Sequence, residues 1–155
     1  MRFLWIILSA AVMVGLDQWT KALTVANIPL GGEVPFWDGV FHFTHFQNTG
    51  MAFSMLEGAR WLFLVLTVLM LGALLFAVGK RWIHGPLGLA AVACIVGGGV
   101  GNLIDRAVHG YVVDMIEVEF MNFAIFNVAD CFVCIGAALL VLWVLVFDRK
   151  KGDKL

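Results

Sequence analysis

Four apolar stretches, each long enough to cross a lipid bilayer, constrain this chain more than any other feature. A spanning helix needs about 20 mostly apolar residues, because roughly 30 Å of hydrocarbon is crossed at about 1.5 Å per residue. Phe3 to about Val25 qualifies, apolar apart from Asp17, Gln18 and Lys21. Trp61 to Val78 and Pro86 to Ile104 carry no charge, and Cys131 to Phe147 is uncharged up to Asp148-Arg149-Lys150-Lys151. Composition agrees: 62% of the 155 residues are hydrophobic and 14% charged, where a soluble domain has roughly a quarter charged. Lipid is therefore the medium for much of the chain. Its length allows one compact domain over residues 1–155.

Basic residues set the topology. Arg2, Lys80, Arg81, Arg149, Lys150, Lys151 and Lys154 fall on the side that holds both termini, and only Arg60 and Arg106 on the other. This places the termini and the Lys80 turn in the cytoplasm, and the segments near 26–60 and 105–130 outside. Arg2 and Ser9-Ala10-Ala11 superficially fit a cleaved signal peptide. The apolar stretch runs on to Leu16 and then carries Asp17 and Lys21, so the first span is expected to be retained. In the outer segments, Phe41 to Phe46 and Tyr111 to Phe120 are rich in aromatic and β-branched residues, as strands are. Pro29-Leu30-Gly31-Gly32 and Asp38-Gly39 read as turns. The expected fold is an all-α membrane protein, four transmembrane helices with a small extracytoplasmic β layer.

Within the second outer segment, a strand's period of two places Asp114 with Ile116, Val118 and Phe120, and turns Glu117 and Glu119 to the other face. Asp114 is thus the carboxylate on an apolar face, where desolvation raises its pKa. Asp130 stands at the mouth of the fourth span, sixteen positions further on and preceded by Asn127. That is enough chain to leave the membrane surface and return, so the two can meet. Two carboxylates in one desolvated site do not easily both ionise, and one keeps a proton near neutral pH. The ionised member then takes a proton from an attacking water while the protonated one hydrogen-bonds a scissile carbonyl. No metal and no cofactor are needed. The alternative is that both aspartates cap helix ends or sit in solvated loops.

Other signals carry less. Asp105 and Arg106 read as an interfacial ion pair, or as groups that orient a loop or meet an anionic headgroup. Asp17 and Lys21, at i and i+4, share a helix face and neutralise one another, with a proton path as the sharper reading. Gly97 and Gly101 suit close helix packing rather than phosphate binding. His42 and His45 face opposite sides of a strand, which argues against a metal site on that pair. Cys131-Phe132-Val133-Cys134 admits a membrane thiol oxidoreductase, although only Cys94 remains as a further thiol. The net charge of −1 argues against nucleic-acid binding.

Five blocks in order, Asp17-Gln18-Trp19-Thr20-Lys21, Asn48 to Ser54, Gly98 to Arg106, Val112-Val113-Asp114 and Phe126 to Asp130, make the chain resemble the lipoprotein signal peptidases (signal peptidase II). The resemblance implies an aspartic endopeptidase that removes signal peptides from prolipoproteins carrying diacylglycerol on a cysteine. Cleavage is then expected just before that cysteine, at the outer face of the bacterial cytoplasmic (inner) membrane. It also implies that Asp114 and Asp130 are catalytic. The remaining motif positions are Asn48, Gly50, Ala52, Asn102, Asp105, Arg106, Asn127, Ala129, Asp17 and Lys21. Of these, Asn48 and Arg106 are expected to line the substrate site, and Asp17, Lys21, Asp105 and Asn127 to brace it. Membrane lipids and the inhibitor globomycin are the further expected partners. The segment around 50–60 is a candidate gate. Cys131 departs from the serine that many family members carry at that position.

Overall fold

The computed structural model describes residues 1–50 and 60–152, the side chains only to Val146 at the C-terminal end. Four helices are long and apolar enough to span a membrane: α1 (Arg2–Asn27), α2 (Arg60–Gly79), α3 (Gly85–Val108) and α4 (Val128–Gly152). Three strands, β1 (Glu33–Trp37), β2 (Phe41–Asn48) and β3 (Val112–Val118), form one antiparallel sheet in the order β1-β2-β3. Four apolar helices with a small β layer are the expected architecture.

The helices run past the apolar stretches that specify them. Backbone hydrogen bonding continues wherever nothing competes with it, so α3 carries Asn102, Asp105 and Arg106 on its last turns. At the other end, Pro86 begins α3 at a position where its missing N–H costs nothing. Helix α4 opens on a reciprocal cap. The Asn127 side chain accepts from the Asp130 N–H at 3.0 Å, and the Asp130 carboxylate accepts from the Asn127 N–H at 3.2 Å. This is a capping box built from Asn and Asp, so the N-terminal turn of α4 fixes where Asp130 sits.

Helix α3 is the central element, packed against the other three helices. Its apolar window is 56% buried, against 11% to 17% for the others, whose apolar sides face outward as lipid-facing surfaces do. Glycines make this possible. A side chain at Gly97 would meet Met13 of α1, one at Gly99 would meet Leu71 of α2, and one at Gly98 would run into the Ala129 carbonyl and Val133 of α4. The expected pairing of Gly97 and Gly101 is on the face toward α1, and Gly98 adds a second close approach, toward α4.

In the β layer, the expected turns at Gly31 and Gly39 both have positive φ, +73° in each. They bracket β1, which sequence analysis left unassigned. Pro35 is tolerated there because β1 is the edge strand. Strand β3 ends at Val118, short of Phe120. It is buried on both faces from Val112 to Met115, so Asp114 owes its seclusion to the whole layer rather than to one apolar face.

The glycine contacts set a test. Gly98→Ala is expected to destabilise the protein by about 1–3 kcal/mol through overpacking. Gly72→Ala, with nothing within 4 Å of the added carbon, should gain up to about 1 kcal/mol from helix propensity. Thermal unfolding in detergent measures both.

Candidate active site

The candidate site rests on a buried cation. The Lys21 ammonium lies 2.8 Å from Asp17 Oδ2 and 2.9 Å from Asp105 Oδ2, with all three side chains almost fully buried. It also donates to Asn102 Oδ1 at 2.9 Å. A lone ammonium at this depth would be severely penalised, and the two carboxylates with the amide replace its hydration. Each anion holds something else in turn. Asp17 Oδ1 accepts the Ala129 N–H at 2.9 Å, fixing the first turn of α4, and Asp105 Oδ2 accepts the Val113 N–H at 3.2 Å, fixing β3. Gln18 closes the cluster from α1, its amide donating to Asp105 Oδ1 at 2.8 Å and to the Gly101 carbonyl at 3.3 Å.

Above this layer stand the two aspartates. Asn102 Nδ2 donates to Asp130 Oδ1 at 2.8 Å. Asn127 Nδ2 donates both to Asn102 Oδ1 and to Asp114 Oδ1, the latter at 2.6 Å. Asp114 Oδ2 accepts from Asn48 Nδ2 at 2.9 Å. A bulge positions that last donor. The β2–β3 register pairs Phe43 with Ile116 but Phe46 with Asp114, so β2 carries one extra residue in between. Since strand faces alternate, the insertion moves Asn48 onto the face of Asp114, diagonally opposite it.

Asp114 and Asp130 line one cavity of about 480 Å³, whose walls also include Asn48, Asn102, Arg106, Cys131 and Cys134, with apolar surface from Val112, Phe123 and Ile125. Burial pushes Asp114 up to about 7. The amide of Asn48 opposes that rise, the nearby Asp130 charge adds to it, and Asn127 and Lys21 counter it in part. A carboxyl group so placed is half protonated near neutral pH, beside a second carboxylate. Arg106 supplies positive charge at the same wall: it donates to the Gly50 carbonyl at 3.2 Å and lies over the Phe63 ring at 5.1 Å.

Some expectations change. Asp105 and Arg106 do not pair. Adjacent helix residues point in different directions, so Asp105 turns inward to Lys21 while Arg106 turns to the cavity. Lys21 bridges two aspartates rather than one. Asn127 contacts Asp114 directly, and Ala129 contributes its backbone N–H. Gly50 N–H donates to Asn48 Oδ1 at 2.9 Å, steadying that amide. Ala52, and with it most of the candidate gate around 50–60, lies outside the described residues. Sequence reasoning passed over Gln18, whose signal was its spacing of three from Lys21, a helical neighbour position.

Residues 9–146 match the family described as Signal peptidase (SPase) II. The chain is 44% identical over 153 residues to the lipoprotein signal peptidase of Streptococcus thermophilus (strain CNRZ 1066), covering 99% of each. It is 41% identical over 147 residues to that of Enterococcus faecalis (strain ATCC 700802 / V583), covering 95% of this chain and 91% of that one. A bacterial membrane enzyme solved by the in meso method at 2.3 Å resolution superposes with a TM-score of 0.86 at 28% identity, over 97% of this chain and 91% of that one. A second, at 1.9 Å, gives 0.83 at 30% identity, over 90% and 92%.

Removing the buried cation while leaving its anions should be costly. Lys21→Met is expected to lower stability by roughly 3–5 kcal/mol, the usual range when one partner of a buried pair is lost. Adding Asp17→Asn should recover part of it, because one stranded charge goes while an oxygen remains for the Ala129 N–H. Unfolding midpoints of the single and double variants decide the matter.

Proposed function

The chain belongs to the signal peptidase II family and is a membrane peptidase that removes signal peptides from prolipoproteins, and on that footing we propose that Asp114 and Asp130 are its catalytic pair. The observation that carries this is that both carboxylates line one cavity and are tied to one residue, Asn127. Asp114 holds the proton at rest, since burial pushes it up to about 7. Asp130 is the ionised member. It sits in the N-terminal turn of α4, where N–H groups and the helix dipole favour an anion, and Asn102 adds a donor.

Asp130 takes a proton from water as the water oxygen bonds to the scissile carbonyl carbon. Asp114 donates a hydrogen bond to the carbonyl oxygen and stabilises the oxyanion as it forms. Collapse of the tetrahedral intermediate breaks the C–N bond, and the proton held by Asp130 passes to the leaving amine. The signal peptide departs with a carboxylate, and the amine belongs to a cysteine bearing diacylglycerol. The apolar wall of Val112, Phe123 and Ile125 suits that lipid, and Asn48 and Arg106 suit the peptide and its carbonyls. Membrane lipids surround the outward apolar helix sides, and globomycin is expected to fill the same cavity. The basic end, where Arg2 donates to the Gly79 carbonyl at 3.1 Å, faces the cytoplasm on this reading. The aspartates then lie toward the outer face, within a single domain over residues 1–155. Residues Gly50, Asp105, Ala129, Asp17 and Lys21 support the site, and the family resemblance adds Ala52.

Asp114→Asn and Asp130→Asn should each reduce cleavage of a diacylglyceryl prolipoprotein to background, and full activity in either variant would sink the assignment. Cys131→Ser with Cys134→Ser should retain most activity, which a thiol oxidoreductase would not. Since Asp114 must carry its proton, turnover should fall as pH rises through about 7. Asn48→Ala removes a donor that favours the carboxylate, so the alkaline limb should move to higher pH. A pH–rate profile reads the shift.

A further inference from the structure

The two strands that hold Asn48 and Asp114 carry a second titratable group at their opposite ends. His42 on β2 stands directly across from Glu117 on β3. On β1 the register pairs Glu33 with Thr44 and Pro35 with His42, which makes Glu33 the diagonal neighbour of His42. Each strand thus contributes one side chain. His42 Nε2 is 3.1 Å from Glu117 Oε2 and 4.0 Å from Glu33 Oε1. One ligand atom from each of the three residues lies within 4.8 Å of the others. Across the ring, His42 Nδ1 is 3.1 Å from Glu119 Oε1, and the other oxygen of Glu119 accepts the Gly39 N–H at 2.9 Å.

A neutral imidazole has one N–H to give. With Nδ1–H donating to Glu119, Nε2 of the neutral ring turns a lone pair toward two carboxylates, an arrangement that repels unless a metal ion or a second proton lies between them. A ligating histidine held by a carboxylate on its far nitrogen is the usual build of a metal site. We propose that Glu33, His42 and Glu117 form a divalent transition-metal site on the outer sheet, best suited to Zn²⁺, with Glu119 orienting the histidine. Zn–N and Zn–O bonds of about 2.0–2.2 Å place ligand atoms about 3.4 Å apart. The His42–Glu117 pair already meets that spacing. Glu33, whose side chain is 66% exposed, closes the remaining gap by a movement of at most about 1.4 Å. The imidazole selects Zn²⁺ over Ca²⁺ and Mg²⁺, which prefer all-oxygen sites. The bound ion would pin β1, an edge strand whose five residues are all exposed, to the two strands that frame the active site. The site stands independently of the peptidase reading.

Titration of the tag-free, full-length protein in detergent with Zn²⁺, and with Co²⁺ as a spectroscopic probe, tests it. One ion per chain is expected, with visible Co²⁺ absorption that Zn²⁺ displaces and a raised unfolding midpoint. His42→Ala should abolish binding, and Glu119→Gln should weaken it about 10- to 100-fold. Peptidase activity without added metal should persist in both variants, showing that they fold. The proposal is overturned by the absence of saturable binding, in which case a second proton on His42 fills the role of the ion. Binding that survives His42→Ala, or binding lost on replacing Cys131 and Cys134 with serine, overturns it equally. So does Ca²⁺ binding as tightly as Zn²⁺, the mark of a plain acidic patch.

Discussion

One buried ammonium organises this molecule. Lys21 sits among the helices with two carboxylates and an amide as its only described solvation. Each of those partners reaches on to a different element. Asp17 holds the start of α4, Asp105 holds β3, and Asn102 holds Asp130. The energetic demand of one charge away from water is thereby converted into a fixed relation between three helices and the outer sheet. Two carboxylates that act together, as proposed for Asp114 and Asp130, need that rigidity, because a misplacement of about 1 Å is enough to lose most of the benefit of alignment.

The same layer explains the contrast between the two acids. Asp114 is secluded by a strand buried on both faces and has amide donors from Asn48 and Asn127. Asp130 is held by the N-terminal turn of a helix and by its own cap. Desolvation acts on both, and it is opposed at Asp114 by side-chain amides alone and at Asp130 by a backbone N–H together with the Asn102 amide. The difference in setting suits the separate tasks proposed for the two side chains in water attack on an amide.

The outer sheet links this chemistry to the rest of the surface. Its strands carry Asn48 and Asp114 at one end and the His42 cluster at the other.

The sequence by itself determined the four spans, the strand-forming outer segments and the two aspartates, because apolar length, side-chain alternation and local spacing are written residue by residue. Asp105 and Arg106 were visible as charged groups at a helix end, and their separate roles came only from the family resemblance. What only the tertiary structure decided was partnership. The choice of Asp105 over Arg106 as an inward group depends on where Lys21 of another helix arrives. The bulge between Phe43 and Phe46 reverses the face of every later β2 residue, so no period-two count from Phe41 could bring Asn48 to Asp114. Strand β1 became a strand because β2 offered it an edge, despite Pro35. Asn127 became the link between the acids because α4 docks against Gly98, where no side chain intervenes. Spacing along one chain says which groups can be near their own neighbours. Which distant groups meet depends on packing, and here the buried charge at Lys21 settled it.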